Sequence, residues 1–304
     1  KMKKILFLIS IVTLTIISCK SSYTKIGDKN ANYIPYYLKV YEADSLCLVG
    51  NYQRSYEILD SLFKKYELAN MDNINEYSTY IACCVMTNNI KNIDKKIRNS
   101  ILKYGSFSRN HPDYDTIYSR LSKTTKVSKE EMKLLGDKYE KKYNKELSYR
   151  IIRMFEEDQS ARIPSLNHEK MDEFQKKHEK EINEIISEFG YPNQKVTGYI
   201  FGENNEPVSF DVIFYHQTTE NKKKYLPMLY KSLINGKISP SEYGGIVDKI
   251  YLDNGKLYYG TFLGEVPLIN EKKIDSIRKT IGLPSYGYEE WAFKKMFPNL
   301  NWSL

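Results

Sequence analysis

The sequence lacks the motifs that identify the common hydrolases and nucleotide-binding enzymes. It contains no Gly-x-Ser-x-Gly, no His-Glu-x-x-His and no glycine-rich loop that would cradle a phosphate. Its four cysteines and four histidines do not have the paired spacing of a zinc site, so we predict no metal and no other cofactor. Blocks of like charge are also missing, although 46 Lys+Arg exceed 38 Asp+Glu, and nucleic acid is therefore not an expected partner.

Wholesale disorder is excluded by the composition. Hydrophobic residues make up 41% of the 304 residues and charged residues 28%, which is enough apolar material for about two domains. Tyrosine dominates the aromatics, with 27 Tyr against 12 Phe and 2 Trp. Buried tyrosines usually need a partner for the hydroxyl, so we expect a core edged with hydrogen bonds.

The first eighteen residues have the form of a bacterial export signal. Lys3 and Lys4 precede a mostly apolar run over residues 5–17, which is shorter than the roughly 20 residues of a membrane-spanning helix. The following Ile16-Ile17-Ser18-Cys19 resembles a bacterial lipobox, in which the cysteine is lipid-modified and becomes the new N-terminus. The resemblance implies a signal peptide over residues 1–18 and lipid attachment at Cys19. The alternative is an uncleaved anchor with an incidental cysteine.

Residues 19–34 are polar and predict a tether between the lipid and the folded chain. No acidic cluster follows Cys19, and in some bacteria such a cluster marks lipoproteins that are exported to the cell surface. We therefore expect a cell-envelope protein on the periplasmic face of the outer membrane, attached to that membrane through its lipid.

Residues 35–122 predict a domain of helical hairpins. Ala43, Gly50, Tyr52 and Ser55 occur at offsets that resemble a tetratricopeptide repeat, in which small residues let paired helices pack closely. A second, weaker pair is predicted over residues 77–88 and 92–104, and a generic helical bundle is the alternative. The resemblance implies a protein partner for this domain. The polar, Lys/Glu-rich residues 123–145 predict an exposed linking helix.

Three cysteines, Cys47, Cys83 and Cys84, lie in apolar helical sequence. Export would permit a disulfide from Cys47 to either Cys83 or Cys84. Free cysteines in such a context behave as small apolar side chains, so buried thiols are favoured over a bridge.

Residues 146–304 predict a mainly helical domain with one small β-hairpin. Asp158 and Arg162 are an i,i+4 pair on an otherwise apolar helical stripe, which predicts an inward-facing ion pair. His178, on the next stripe, is expected to be a core histidine. Pro227 is expected to begin a helix. Asn254-Gly255 between alternating residues predicts the hairpin over residues 250–259. The whole chain is thus predicted to be mainly α, with a tetratricopeptide-like helical N-terminal domain.

Several motifs in this half occur in an order that resembles a widespread bacterial domain of unknown function, over residues 147–291. The family typically has glutamine where this sequence has Tyr215 and Phe262, and arginine where it has Lys249. Replacing the second glutamine by Phe262 predicts a smaller or more apolar pocket. The resemblance implies no activity. The shared motifs are Asp158-Gln159-Ser160-Ala161-Arg162, His216, Asp248, Tyr259-Gly260-Thr261 and Gly282-Leu283-Pro284.

The function that the sequence favours is that of a binding or interaction protein of the envelope. The alternative is a hydrolase-type enzyme in which the polar residues of these motifs share one pocket. His216 would then be the general acid or base, since imidazole titrates near neutrality without help. Asp158 or Asp248 would orient it, Arg162 would hold an anionic or carbonyl group, and Tyr259 would approach the same space.

Overall fold

The computed structural model describes residues 23–71, 75–105, 107, 111–198, 200–202, 206–262 and 264–298. The expected signal peptide and Cys19 lie outside these residues. None of the described helices is long and apolar enough to cross a membrane. The chain is mainly helical with one small antiparallel hairpin, which confirms the predicted fold class. The elements are α1 Ile34–Leu48, α2 Tyr52–Phe63, α3 Glu76–Met86, α4 Ile93–Tyr104, α5 Tyr114–Thr124, α6 Lys129–Glu140, α7 Lys145–Ser160, α8 His168–Phe189, α9 Gln194–Thr197, β1 Ile200–Phe201, β2 Pro207–Val208, α10 Phe210–Tyr215, α11 Thr219–Ile234, α12 Pro240–Leu252, a 3₁₀ turn Glu271–Lys273, α13 Ile274–Lys279 and α14 Tyr288–Met296.

The first two helices form the hairpin that the small residues predicted. Gly50 makes the turn in a left-handed conformation, and Asn51 caps α2 through its side chain. Ser55 and Ala43 are fully buried, and the Ser55 hydroxyl donates to the Ala43 carbonyl at 2.7 Å. Such a short contact between two helices requires small side chains at both positions. Helices α3 and α4 form the second predicted pair.

The expected tether and the expected linking helix both pack against the core, although the sequence predicted that they would lie outside it. Residues of the expected tether join the N-terminal helices, because Thr24 donates its N–H to Lys65 and Tyr33 is fully buried. The expected linking helix, α6, packs against α4 and buries Leu135 and Tyr139. Leu135 and Tyr139 are four residues apart, so they form an apolar stripe on a helix that is otherwise polar.

Helix α1 joins the two halves of the chain. The buried hydroxyl of Tyr37 donates to the carbonyls of Leu233 and Ile238, at 2.9 and 3.0 Å. Near the other end of α1, Asp44 accepts a hydrogen bond from Tyr288 on α14. One continuous core therefore runs through both predicted domains, and the hydroxyls of Tyr37 and Tyr288 have the partners expected of buried tyrosines.

The predicted position of the hairpin is wrong. The hairpin lies instead at β1 and β2, where Ile200 pairs with Val208. Helix α12 continues to Leu252, because Tyr243, Ile246, Val247 and Ile250 recur at helical spacing and are all buried. Asn254-Gly255 turns the chain after that helix.

The predicted start of the next helix at Pro227 is also wrong. Pro227 lies inside α11, which begins at Thr219 and is capped by the Thr218 side chain. The cap and a run of good helix formers begin the helix two turns before the proline.

The three described cysteines are buried free thiols, as favoured from the sequence. The Sγ atoms of Cys47 and Cys83 lie 3.7 Å apart. Cys84 packs into the hydrophobic core.

Candidate functional site

Three of the five candidate residues meet at the end of α7. Arg162 binds both carboxylate oxygens of Asp158, with Nε to Oδ2 at 2.9 Å and Nη2 to Oδ1 at 3.0 Å. His216, the residue that ends α10, brings Nδ1 to 2.8 Å from Oδ2 of Asp158. Gln159 also donates to Oδ2, at 3.1 Å. The expected contact between His216 and Asp158 is therefore present.

This cluster is only partly closed to solvent. Asp158 is buried, whereas the side chains of Arg162 and His216 are 23% and 25% exposed. Burial alone would raise the pKa of Asp158, but the hydrogen bonds from His216 and Arg162 outweigh it and hold the pKa below its usual value. Asp158 is thus held as a carboxylate that orients the His216 imidazole. The prediction that the Asp158–Arg162 pair faces inward is confirmed for Asp158, which is buried, whereas Arg162 is partly exposed.

Asp248 and Tyr259 belong to a second cluster. Asp248 is fully buried and accepts from the backbone N–H groups of Tyr258, Tyr259 and Thr261, at 2.6 to 2.7 Å. The Thr261 hydroxyl donates to the same carboxylate, at 2.7 Å. Tyr259 is buried, and its carbonyl accepts from the fully buried Arg278. All four bonds to Asp248 hold the chain that follows α12.

The hydrogen bonds of the five candidates divide them into two clusters. Among the described residues, no hydrogen bond joins Asp158, Arg162 or His216 to Asp248 or Tyr259. Asp248 uses its oxygens on backbone N–H groups of its own loop, and the single pocket expected from the sequence stays a prediction. His178 is a core histidine as predicted, with Nε2 at 2.8 Å from Oε2 of Glu157 on α7.

A cavity of about 330 Å³ lies between the two clusters. Neither His216 nor Asp248 lines it, but each holds a residue that does. Tyr215 directly precedes His216, and Thr261 is bound by Asp248. The candidate residues therefore support two walls of the cavity. Its lining also includes the aromatic residues Phe201, Phe210 and Phe262, and the polar residues Asp211, Ser239, Ser241 and Glu242.

Asp211 and Tyr215 face each other across one turn of α10. Burial raises the pKa of Asp211, although the neighbouring Tyr215 hydroxyl partly offsets that rise. Burial and the neighbouring Asp211 together raise the pKa of Tyr215 well above its ordinary value. Tyr215 fits because α12 carries Gly245 opposite it, where an added Cβ would lie within van der Waals overlap of the hydroxyl.

Sequence reasoning did not assign Asp211 or Glu242 to a site, because Asp211 belongs to no recognised motif and Glu242 belongs to the capping box of α12. Tyr215 and Phe262 stand out in the sequence, because the proposed resemblance predicts glutamines at both positions. Their rings contact each other at 80° with centres 5.8 Å apart, and both line the cavity.

Within the described ranges, no group of three or more His, Cys, Asp or Glu side chains is placed to hold a metal ion. Compared with protein-family models, curated proteins and solved structures, the chain shows no significant match.

Proposed function

We propose that the chain is a binding protein of the bacterial cell envelope, whose ligand occupies the cavity lined by Asp211 and Tyr215. One observation carries this proposal: the five candidate side chains do not line the cavity, although residues next to them or bound by them do. Asp158, Arg162 and Asp248 use their polar atoms on hydrogen bonds within the protein, as expected for residues that shape a site. The volume of about 330 Å³ lies at the lower end of the range for small-molecule sites, about 300–1,000 Å³.

The alternative, a hydrolase-type enzyme, is favoured by the contact of Asp158 with His216. A carboxylate at 2.8 Å from Nδ1 orients an imidazole for general acid–base catalysis, and the partial exposure of His216 would allow a substrate to reach it. Arg162 is already bound to Asp158 through both oxygens. It is therefore less available to hold a substrate carbonyl or anion than the enzyme mechanism requires.

Binding and catalysis can be distinguished by the number of molecules of a compound that each protein chain removes from solution. We would incubate the purified chain with a small-molecule extract of bacterial envelopes and follow each compound by mass spectrometry. Binding predicts that the depletion of a compound saturates at about one molecule per chain. Depletion that continues past that limit in wild type, and stops in His216→Asn, would establish the enzyme and overturn the binding proposal. The exposed His168→Asn serves as the matched control.

Gly245→Ala tests whether the cavity holds the bound compound. The added methyl group displaces Tyr215, so we expect the depletion to fall. Gly136→Ala is the matched control, because an added Cβ there meets nothing within 4 Å. Equal depletion by both variants would place the binding site elsewhere.

The membrane anchor is proposed from the lipobox-like sequence that ends at Cys19. Cys19→Ala should release the protein from the membrane fraction or leave it as an unprocessed precursor. Processing and fractionation like wild type would contradict both the lipid attachment and the expected periplasmic face of the outer membrane.

The N-terminal helices are proposed to contact a protein partner. Helix α5 exposes two stacked tyrosines, Tyr114 and Tyr118, whose ring centres lie 5.9 Å apart. A photo-cross-linking residue at position 118 should give a discrete adduct in cells, whereas one at the more exposed position 149 should not. Equal labelling at both positions would argue against a specific partner surface on α5.

A further inference from the structure

The cavity has an unusual balance of charge among the residues that line it. Two carboxylic acids, Asp211 and Glu242, contribute to its walls, and among the residues that the structure describes no lysine, arginine or histidine does. Glu242 also accepts from the N–H of Ser239 at 2.6 Å, as part of the capping box of α12. Asp211 is therefore the carboxyl that is more available to a ligand.

Aromatic rings complete the cavity. Phe201, Tyr215 and Phe262 all contribute to its walls, and the negative face of such rings attracts cations. An ammonium group already lies over one of them, because Nζ of Lys249 is 4.7 Å from the centre of the Phe262 ring. Lys249 is not itself a lining residue, so the rings of Phe201 and Tyr215 remain for a bound compound.

We propose that this cavity binds an organic ammonium compound, with its charged group at Asp211 and its apolar part against the rings of Phe201 and Tyr215. The inference rests on the proposed binding function and names the chemistry of its ligand. An ammonium group would supply the counter-charge that none of the described lining residues provides. Carboxylates and aromatic faces together are a common way to recognise such cations.

The burial of Asp211 also supports a bound ammonium group. Burial disfavours the charged form of Asp211 and raises its pKa, and the neighbouring Tyr215 hydroxyl and backbone N–H groups only partly offset that rise. An ammonium group beside the carboxylate would compensate the remaining cost. Glu242 and Asp248 add negative charge near the Tyr215 side chain, whereas the ammonium group of Lys222 binds the Tyr215 carbonyl, at 3.2 Å.

The test compares three small probes that share an aromatic ring: phenethylamine, 2-phenylethanol and 3-phenylpropionate. Their affinities for the full chain would be measured by isothermal titration calorimetry. We expect the amine to bind about tenfold more tightly than the alcohol, and the carboxylate to bind most weakly. Asp211→Asn should reduce amine affinity to that of the alcohol, while the exposed Asp115→Asn should leave all three affinities unchanged.

The inference is overturned if the alcohol binds as tightly as the amine, if the preference survives Asp211→Asn, or if none of the three probes binds. These outcomes would leave stoichiometric, Gly245-dependent depletion from the envelope extract intact. The chemistry of the ligand and the binding function therefore fail in distinguishable ways.

Discussion

Oδ2 of Asp158 lies 2.8 Å from Nδ1 of His216, although the two residues are 58 positions apart in the chain. The contact fixes the end of α10 against the end of α7. Gln175 on α8 strengthens it by donating to the His216 carbonyl at 2.9 Å. Because Asp211 and Tyr215 lie on α10, this network sets the position of one cavity wall.

Arg162→Ala should destabilise the protein by about 1.5–3 kcal/mol, because it removes two hydrogen bonds to a buried charge. Because the Arg162 side chain is partly exposed, we expect a smaller loss of stability than the about 3–5 kcal/mol that breaking a fully buried ion pair costs. Urea unfolding would measure the loss. Arg153→Ala is the matched control: that side chain is 53% exposed and pairs with Glu181, so we expect less than about 1 kcal/mol. Equal stability of the Arg162 variant and wild type would show that the Asp158 ion pair contributes nothing.

The contribution of Asp158 to stability should disappear in acid. Its pKa in the folded protein is below its usual value, and in the unfolded chain it is about 3.9. Wild type should therefore hold its stability advantage over Asp158→Asn above pH of about 4 and lose it as the pH falls further, through the folded-state pKa. The urea concentration at the midpoint of unfolding, measured for both proteins between pH 2 and pH 7, would show this loss. A difference that stays constant across this range would contradict the ionised, hydrogen-bonded carboxylate.

Asp248→Ala should open the loop that follows α12. The substitution leaves three backbone N–H groups and one hydroxyl without their acceptor in a buried place, which costs about 3 kcal/mol or more. Hydrogen exchange should accelerate first at the amides of Tyr258, Tyr259 and Thr261. Thr261→Val removes only the hydroxyl and should cost about 1 kcal/mol. If the two variants were equally stable, Asp248 would not be the organising group of this loop.

Local signals in the sequence predicted most of the helices correctly. Ser239-Pro240-Ser241-Glu242 has the sequence pattern of a capping box, and the capping box forms, since its hydrogen bonds lie within four residues. The Asn254-Gly255 signal failed because it is equally compatible with a turn after a helix. The buried apolar stripe of α12 reaches Ile250, and the helix continues to Leu252. The residues at the turn alone could not distinguish a β-hairpin from a turn that follows a helix.

The site was harder to predict because its parts come from different regions of the chain. The sequence paired Asp158 with Arg162 by helical spacing, but the contact with His216 depends on how α7 and α10 pack. Asp248 was assigned to the same pocket from its motif alone, whereas its partners are backbone N–H groups, which leave no trace in the residue pattern. The cavity residue Asp211 had no motif to mark it.

Oxidation should join Cys47 to Cys83 and leave Cys84 as a free thiol. The sequence left both bridges open, but only Cys83 brings its Sγ to 3.7 Å from that of Cys47. A disulfide needs about 2.05 Å between the sulfurs, so a small movement of the side chains is enough. Burial raises the pKa of Cys84 to about 12, which keeps it protonated and unreactive, since the thiolate is the nucleophile. Treatment with diamide, a thiol oxidant that is reduced to its hydrazine as the disulfide forms, followed by peptide mass mapping, would identify the bridge. Cys84→Ser should cross-link like wild type and Cys83→Ser should not, whereas a peptide that joins Cys47 to Cys84 would contradict this arrangement of α1 and α3.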